Sequence, residues 1–420
     1  MAGKSKVISR RVTSLIQDRM GIEPVIILEG PRAVGKSTVL REISAITKTP
    51  IIDLDNPATR RAVEAGSGHF VAGGGLVLVD EYQRVPEILD SIKAELNQDT
   101  RPGRYLLTGS VKQEKLPRGT QALTGRSHRM VISPLMQCEI GNTKTNLLDE
   151  ILNAPEQLTS QMRSKTTRID YANRVTIGGF PLALTRQDSA QRNRWFRDYI
   201  YKTLSQDIQE ISKIQQVKIL PKLLTQMAGQ NSQVLNTLKV ARQLNLNPVT
   251  TENYVQLMES LYVVKRLPAW GTTLNSRSTH KPKLHFVDSG LLSYLSKMTT
   301  EKILSKNATA LSEYGHVFET FIIGEITRLA EFRDDFLDSG HWRTHDGDEV
   351  DLVMEFQSGE VIGIEVKAGS MPSEKDFRGL SKLRDYLGTS FHAGILIHQG
   401  EFAYQKSDRI FAIPADRLWK

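Results

Sequence analysis

The sequence predicts an α/β protein of several domains, and three observations predict it. The apolar, β-branched run Val25-Ile26-Ile27-Leu28 leads into Gly30-Pro31-Arg32-Ala33-Val34-Gly35-Lys36-Ser37-Thr38, and a helix-forming stretch follows as far as Ile43. Two more short apolar runs, Leu76-Val77-Leu78-Val79 and Tyr105-Leu106-Leu107, stop at polar segments, as buried parallel strands alternating with helices do. Near the other end, Glu349-Val350-Asp351-Leu352-Val353-Met354-Glu355-Phe356 and Val361-Ile362-Gly363-Ile364-Glu365-Val366-Lys367 alternate in polarity about Gln357-Ser358-Gly359, which reads as a hairpin of a second α/β unit. At 420 residues the chain is too long for one core.

The G-x-x-x-x-G-K-S spacing between a strand and a helix is that of a phosphate-binding loop. Glycines let backbone N–H groups wrap a triphosphate, and the next helix points its positive end at the same anion. Lys36 would neutralise the β- and γ-phosphates, and the Ser37 hydroxyl would ligate Mg²⁺. The second apolar run ends in Asp80-Glu81. At a strand's carboxyl end Asp80 would hold Mg²⁺ through water, and Glu81 would polarise the attacking water. The third run ends in Thr108-Gly109-Ser110, where a hydroxyl, assigned to Ser110, either senses the γ-phosphate or merely turns the chain.

These segments, with Asp80-Glu81-Tyr82-Gln83-Arg84-Val85-Pro86 and Leu123-Thr124-Gly125-Arg126, recur in an order that resembles the AAA-type ATPases of archaea and bacteria with a C-terminal domain of uncharacterised function. Gly178-Gly179-Phe180-Pro181 and Lys283-Leu284-His285-Phe286-Val287-Asp288-Ser289-Gly290-Leu291 extend the resemblance along the chain. Ala33 stands where relatives often carry Gln. The resemblance implies ATP as the ligand and ring formation as an option, so a homo-oligomer is among the expected partners.

Net charge is +8, which favours an anionic partner such as DNA but is also met by ordinary solubility charge. Cys138 is the only cysteine, which excludes a disulfide framework and a zinc cluster. No apolar run approaches a membrane span and the first residues lack a secretory pattern, so a soluble cytoplasmic protein is expected. The run Arg101, Arg104, Lys112, Lys115, Arg118, Arg126 and Arg129 is opposed only by Glu114. It is a nucleic-acid contact, a solvated loop, or the source of a γ-phosphate finger at Arg126, acting in cis or toward a neighbouring subunit.

Between the two α/β units the pattern is helical. Leu220, Leu223, Leu224 and Met227 form one stripe, Asn236-Thr237 caps a second helix, and Pro248 opens a third. Tyr262-Val263-Val264-Lys265-Arg266-Leu267 then reads as a wing strand. A winged helix reading DNA would turn Thr250, Thr251, Asn253 and Tyr254 to the groove; one serving as a scaffold would not.

In the C-terminal hairpin, a three-residue loop pairs Phe356 with Glu360, Met354 with Ile362, Leu352 with Ile364 and Val350 with Val366. The opposite face then sets Asp351 across from Glu365 with Lys367 two residues on, and Glu319 in a nearby helix could add a ligand. Two carboxylates and a lysine on one face suit a Mg²⁺ site with a charge stabiliser, or a cross-strand ion network. The set resembles the PD-(D/E)XK nuclease core, although Val350 stands where Pro often precedes the Asp. That resemblance implies metal ligation by Glu319, Asp351 and Glu365 and catalysis with Lys367. The expected order is an AAA-type P-loop core at 1–140, a helical lid at 141–210, a winged helix at 211–280 and a nuclease-like α/β domain at 281–420. Two functions fit: ATP-dependent DNA processing with a metal-dependent nuclease-like domain, or a nucleotide-switched regulator with an inert nuclease fold that binds a protein partner.

Overall fold

The computed structural model describes residues 8–112, 123–160, 163–204, 208, 217–273, 277, 281–305 and 307–420. Five parallel strands form the first sheet: β1 (Val25–Glu29), β2 (Ile51–Asp53), β3 (Val77–Asp80), β4 (Tyr105–Thr108) and β5 (His128–Val131), in the order β2-β3-β4-β1-β5. Alternation along β1 sends Ile26 and Leu28 to one core and Val25 and Ile27 to the other. The helices Val12–Met20 and Lys36–Thr47 cover the first face through Ile16, Val39, Leu40 and Ile43. Helices Pro57–Val71 and Ile88–Leu96 cover the second through Val63, Ile88, Leu89 and Ile92. Burial on both faces is why the strands read as unbroken apolar runs.

The helices Arg168–Ile177 and Ser189–Lys202 precede a unit of three helices with a two-stranded wing. That unit comprises the helices Leu220–Ala228, Thr237–Leu244 and Pro248–Ser260 and the antiparallel strands β6 (Val264–Leu267) and β7 (Lys283–Phe286). The stripe Leu220, Leu223, Leu224 and Met227 is buried, and Asn236 accepts the Lys239 N–H at 2.9 Å, as expected. Its second wing strand lies past position 280, so the predicted boundary there cuts through the unit. Thr251 and Tyr254, which a DNA-reading helix would turn to the groove, are buried. They share the i, i+3, i+4, i+7 stripe of Val255 and Met258, which faces the core.

A second, mixed sheet contains β8 (Phe336–Arg343), β9 (Glu349–Phe356), β10 (Val361–Lys367), β11 (Phe391–His398), β12 (Tyr404–Ser407) and β13 (Ile410–Pro414), in the order β12-β13-β11-β10-β9-β8. Helix Ala308–Ala330 packs on one face beside Leu352, Met354, Ile362 and Ile364, and Arg378–Leu387 on the other beside Val350 and Val353. The hairpin keeps Met354 with Ile362 and Leu352 with Ile364, and Gly359 takes a left-handed φ of 83°. The predicted Val350–Val366 pair does not form. Val350 turns to the opposite core from Val366, and the Val366 N–H donates to Asp351 Oδ2 at 3.0 Å. Among the described residues no helix is long and apolar enough to cross a membrane.

Candidate nucleotide site and acidic row

The phosphate-binding loop joins the end of β1 to the helix Lys36–Thr47. Gly30 has φ 146°, and a Cβ there would lie 2.2 Å from the Ile132 carbonyl oxygen, so only glycine lets β5's exit approach the loop. Gly35 has φ 101° and Ala33 has φ 63°. The buried Lys36 ammonium donates to the Gly30 and Pro31 carbonyls, both at 2.9 Å, which holds it over the loop. Arg10 fixes the other side, donating to the Val34 carbonyl at 3.0 Å and the Ser133 carbonyl at 2.7 Å.

Asp80 meets this loop from β3. Its carboxylate accepts hydrogen bonds from Thr108 and from the Ser37 hydroxyl. Burial pushes the Asp80 pKa up, and these two bonds oppose it. A hydroxyl and a carboxylate brought together beside a phosphate loop are a donor set that fits Mg²⁺. Glu81 follows in the left-handed region, φ 55°, with its N–H donating to Thr108 Oγ1 at 3.1 Å. Its carboxylate accepts from Ser110 Oγ at 3.1 Å and from Gln83, whose amide also donates to Ser110 at 3.0 Å. Ser110 is therefore bound to Glu81, and Thr108 is the hydroxyl that touches Asp80. The role of Gln83 was visible only as a polar residue after the Asp-Glu pair.

Arg126 is elsewhere. It precedes the N-terminal end of β5 and donates to Asn97 Oδ1 at 2.6 Å, at the edge of the parallel sheet opposite the phosphate loop. At that edge it lies away from the phosphate loop of its own chain, which speaks against the cis alternative. Among the described residues the basic run is likewise not one surface. Arg104 is buried against Asp99 and Glu95 at that far edge, and Arg101 pairs with Asp99. Lys112 lies at the loop edge, 5.6 Å over the Tyr262 ring, and Lys115 and Arg118 fall outside the described residues.

Sequence reasoning missed a contact from the wing to the loop. Glu29, buried at the end of β1, accepts the Tyr262 hydroxyl at 2.6 Å and the Tyr82 hydroxyl at 3.5 Å. Burial and then Glu29 itself raise both phenol pKa values, so both stay protonated donors. Tyr262 sits with φ 56°, two residues before β6, and the Lys112 N–H donates to the Ser260 carbonyl at 3.2 Å. A cavity of about 450 Å³ lies alongside, bordered by Pro31, Glu29, Lys112, Glu259 and Tyr262. A buried acid ending an apolar strand was the available signal for Glu29; nothing local marked Tyr262.

In the C-terminal domain the structure brings Glu319, Asp351, Glu365 and Lys367 into one row with Asp351 in the middle. Lys367 Nζ lies 2.7 Å from Glu365 Oε1. An unforeseen lysine completes the row: Lys283, opening β7, places Nζ 3.0 Å from Asp351 Oδ1 and 3.2 Å from Glu319 Oε1. Glu319 also accepts from Ser232 Oγ at 2.9 Å. Burial and then Asp351 push the Glu319 pKa up to about 8, and the same two causes raise Glu365 well above the carboxylate range. Burial alone would raise Asp351, but Lys283 and Lys367 hold it below the usual value. Burial opposes the Lys283 ammonium, and Asp351, Glu319 and Glu349 outweigh it and keep it charged. Among the described residues no three acidic, histidine or cysteine side chains are arranged to hold a metal ion. The row thus differs from the expected ligand trio because an ammonium stands between two of its members. With Lys283 in place it does not fit a divalent ion.

Residues 23–141 match the model of an AAA domain, so the N-terminal sheet with its loop is a P-loop ATPase domain. Residues 168–302 and 314–418 match two domains of unknown function, DUF8612 and DUF4143. The first of these spans the helical segment and the winged unit together. Along 401 residues the chain is 25% identical to the uncharacterized proteins Rv2008c of Mycobacterium tuberculosis and Mb2031c of Mycobacterium bovis, covering 94% of this chain and 81% of each relative. Among solved structures, the Walker-type ATPase PABY2304 of Pyrococcus abyssi aligns with TM-score 0.41 and 13% identity, over 69% of this chain and 96% of that one. AMPPCP-bound DnaA of Aquifex aeolicus aligns with TM-score 0.27 and 12% identity, over 59% and 86%.

Proposed function

We propose that this protein is an ATP-driven conformational switch, in which the nucleotide state of the AAA domain sets the position of the winged unit. The Tyr262–Glu29 hydrogen bond carries the reading, because it ties the turn that leads into wing strand β6 to the position just before Gly30. Lys36 and the loop amides bind the phosphates, Ser37 and Asp80 hold Mg²⁺, and Glu81 orients and polarises water. Mg²⁺, when bound, would supply charge neutralisation for the triphosphate. When Glu81 turns toward that water it must leave Ser110 and Gln83, which lie beside Tyr82 and hence beside Glu29. Tyr262→Phe tests the coupling. The ratio of ATP to ADP affinity is expected to shift about fivefold or more. A purely structural hydroxyl would cost stability, about 1–3 kcal/mol, and leave that ratio unchanged.

The second reading is ATP-dependent DNA processing by the nuclease-like domain, and the complete Glu319, Asp351, Glu365, Lys367 set favours it. Burial of Thr251 and Tyr254, the dispersed basic run and the lysine between the acids place it second. Linear, forked and four-way DNA are expected to remain intact with Mg²⁺ or Mn²⁺, with or without ATP. Cleavage by wild type that disappears in Glu365→Gln would reverse the order of the two readings. An assembled homo-oligomer would give Arg126 a route to a neighbour's nucleotide, and ATP-dependent pull-down of one protein would identify the switch's partner.

A further inference from the structure

Lys283 belongs to the wing but spends its charge in another unit. Its ammonium is buried among Asp351 at 3.0 Å, Glu319 at 3.2 Å and Glu349 at 3.9 Å. Lysine is almost never so buried unless paired, and this one touches the acids that the hairpin and the helix Ala308–Ala330 hold together. Beyond Asp351, Glu365 is buried and its Oε2 has no hydrogen-bond partner among the described residues. An orphaned carboxylate oxygen is an acceptor still able to take a cation or a donor. Solvent reaches Lys283 through a cavity of about 420 Å³ lined by Ser232, His316, Glu319, Arg343 and Glu349.

We infer that Lys283 is a resident cation standing where a divalent metal ion would bind, so that wing strand β7 is the plug of the acidic row. The inference rests on reading the C-terminal domain as a nuclease-like fold closed at rest. Lys283 Nζ fills the space between Glu319 and Asp351, so a divalent ion entering there meets an ammonium at contact distance. That repulsion is several times stronger in a buried site than in water. Removal of Lys283 leaves a space lined by the carboxyl oxygens of Glu319 and Asp351, the ligand type that Mg²⁺ and Mn²⁺ take.

The test is titration of the full chain with Mn²⁺ alone, without nucleotide, following free Mn²⁺ by electron paramagnetic resonance. Lys283→Met is expected to bind one Mn²⁺ at least about tenfold more tightly than wild type, and adding Asp351→Asn is expected to remove the gain. Equal affinity of wild type and Lys283→Met would overturn the inference, as would a gain that survives Asp351→Asn. Circular dichroism checks folding. If Lys283→Met does not fold, Lys283→Met with Glu319→Gln removes one charge of each sign and carries the same comparison. Because no nucleotide is present, a negative result leaves the ATP switch standing.

Discussion

Lys36→Ala lowers ATP hydrolysis at least about 100-fold and abolishes nucleotide binding in the micromolar range, because one buried ammonium is the loop's main counter-charge to the phosphates. It is held ready by the Gly30 and Pro31 carbonyls at 2.9 Å, so binding exchanges two neutral acceptors for charged ones without moving the loop. Fluorescent-nucleotide titration and phosphate release measure the two effects separately. Retention of hydrolysis within a few-fold of wild type would place the catalytic nucleotide elsewhere.

Glu81→Gln separates binding from chemistry. Glutamine keeps the shape and can still accept the Ser110 hydroxyl, but it cannot polarise water as a carboxylate does. Hydrolysis is expected to fall about 10²- to 10⁴-fold while ATP affinity stays near that of wild type. Single-turnover kinetics read the first quantity and equilibrium titration the second. Equal loss of affinity would make Glu81 a ligand of the nucleotide rather than the group acting on water.

The parts of this architecture that were legible are those written in consecutive residues. The strand–loop–helix at Val25 to Ile43 depends on local spacing, and glycines with φ 146° and 101° stand where the motif requires them. The hairpin loop at Gln357-Ser358-Gly359 fixed its nearest pairs because a left-handed third residue admits one register. Farther from the turn, Asp351 accepts a backbone N–H from Val366, the ladder stops, and Val350 changes sides; a side chain competing for a backbone donor leaves no periodic trace.

What was not legible is tertiary. Tyr262 and Glu29 are 233 positions apart, and Lys283 meets Asp351 across 68. The phase of the helix Pro248–Ser260 was open to reading, since Thr251, Tyr254, Val255 and Met258 repeat at i, i+3, i+4, i+7. Hydroxyls on that stripe suggested a polar face, yet Thr251 satisfies its own by donating to the Asn247 carbonyl at 3.1 Å and so buries at little cost. For Arg126 the order of parallel strands mattered more than composition: residues before a strand lie at the edge opposite its loop.

The coupling of nucleotide state to the wing is read by amide hydrogen exchange of Glu81→Gln, loaded with ATP and compared with the ADP-bound protein. The phosphate loop is expected to become protected with ATP, and exchange is expected to change in the same comparison at Val264–Leu267 and Lys283–Phe286, with Tyr262→Phe suppressing the second change alone. Protection confined to the loop, with both wing strands exchanging identically in the two states, would contradict that coupling.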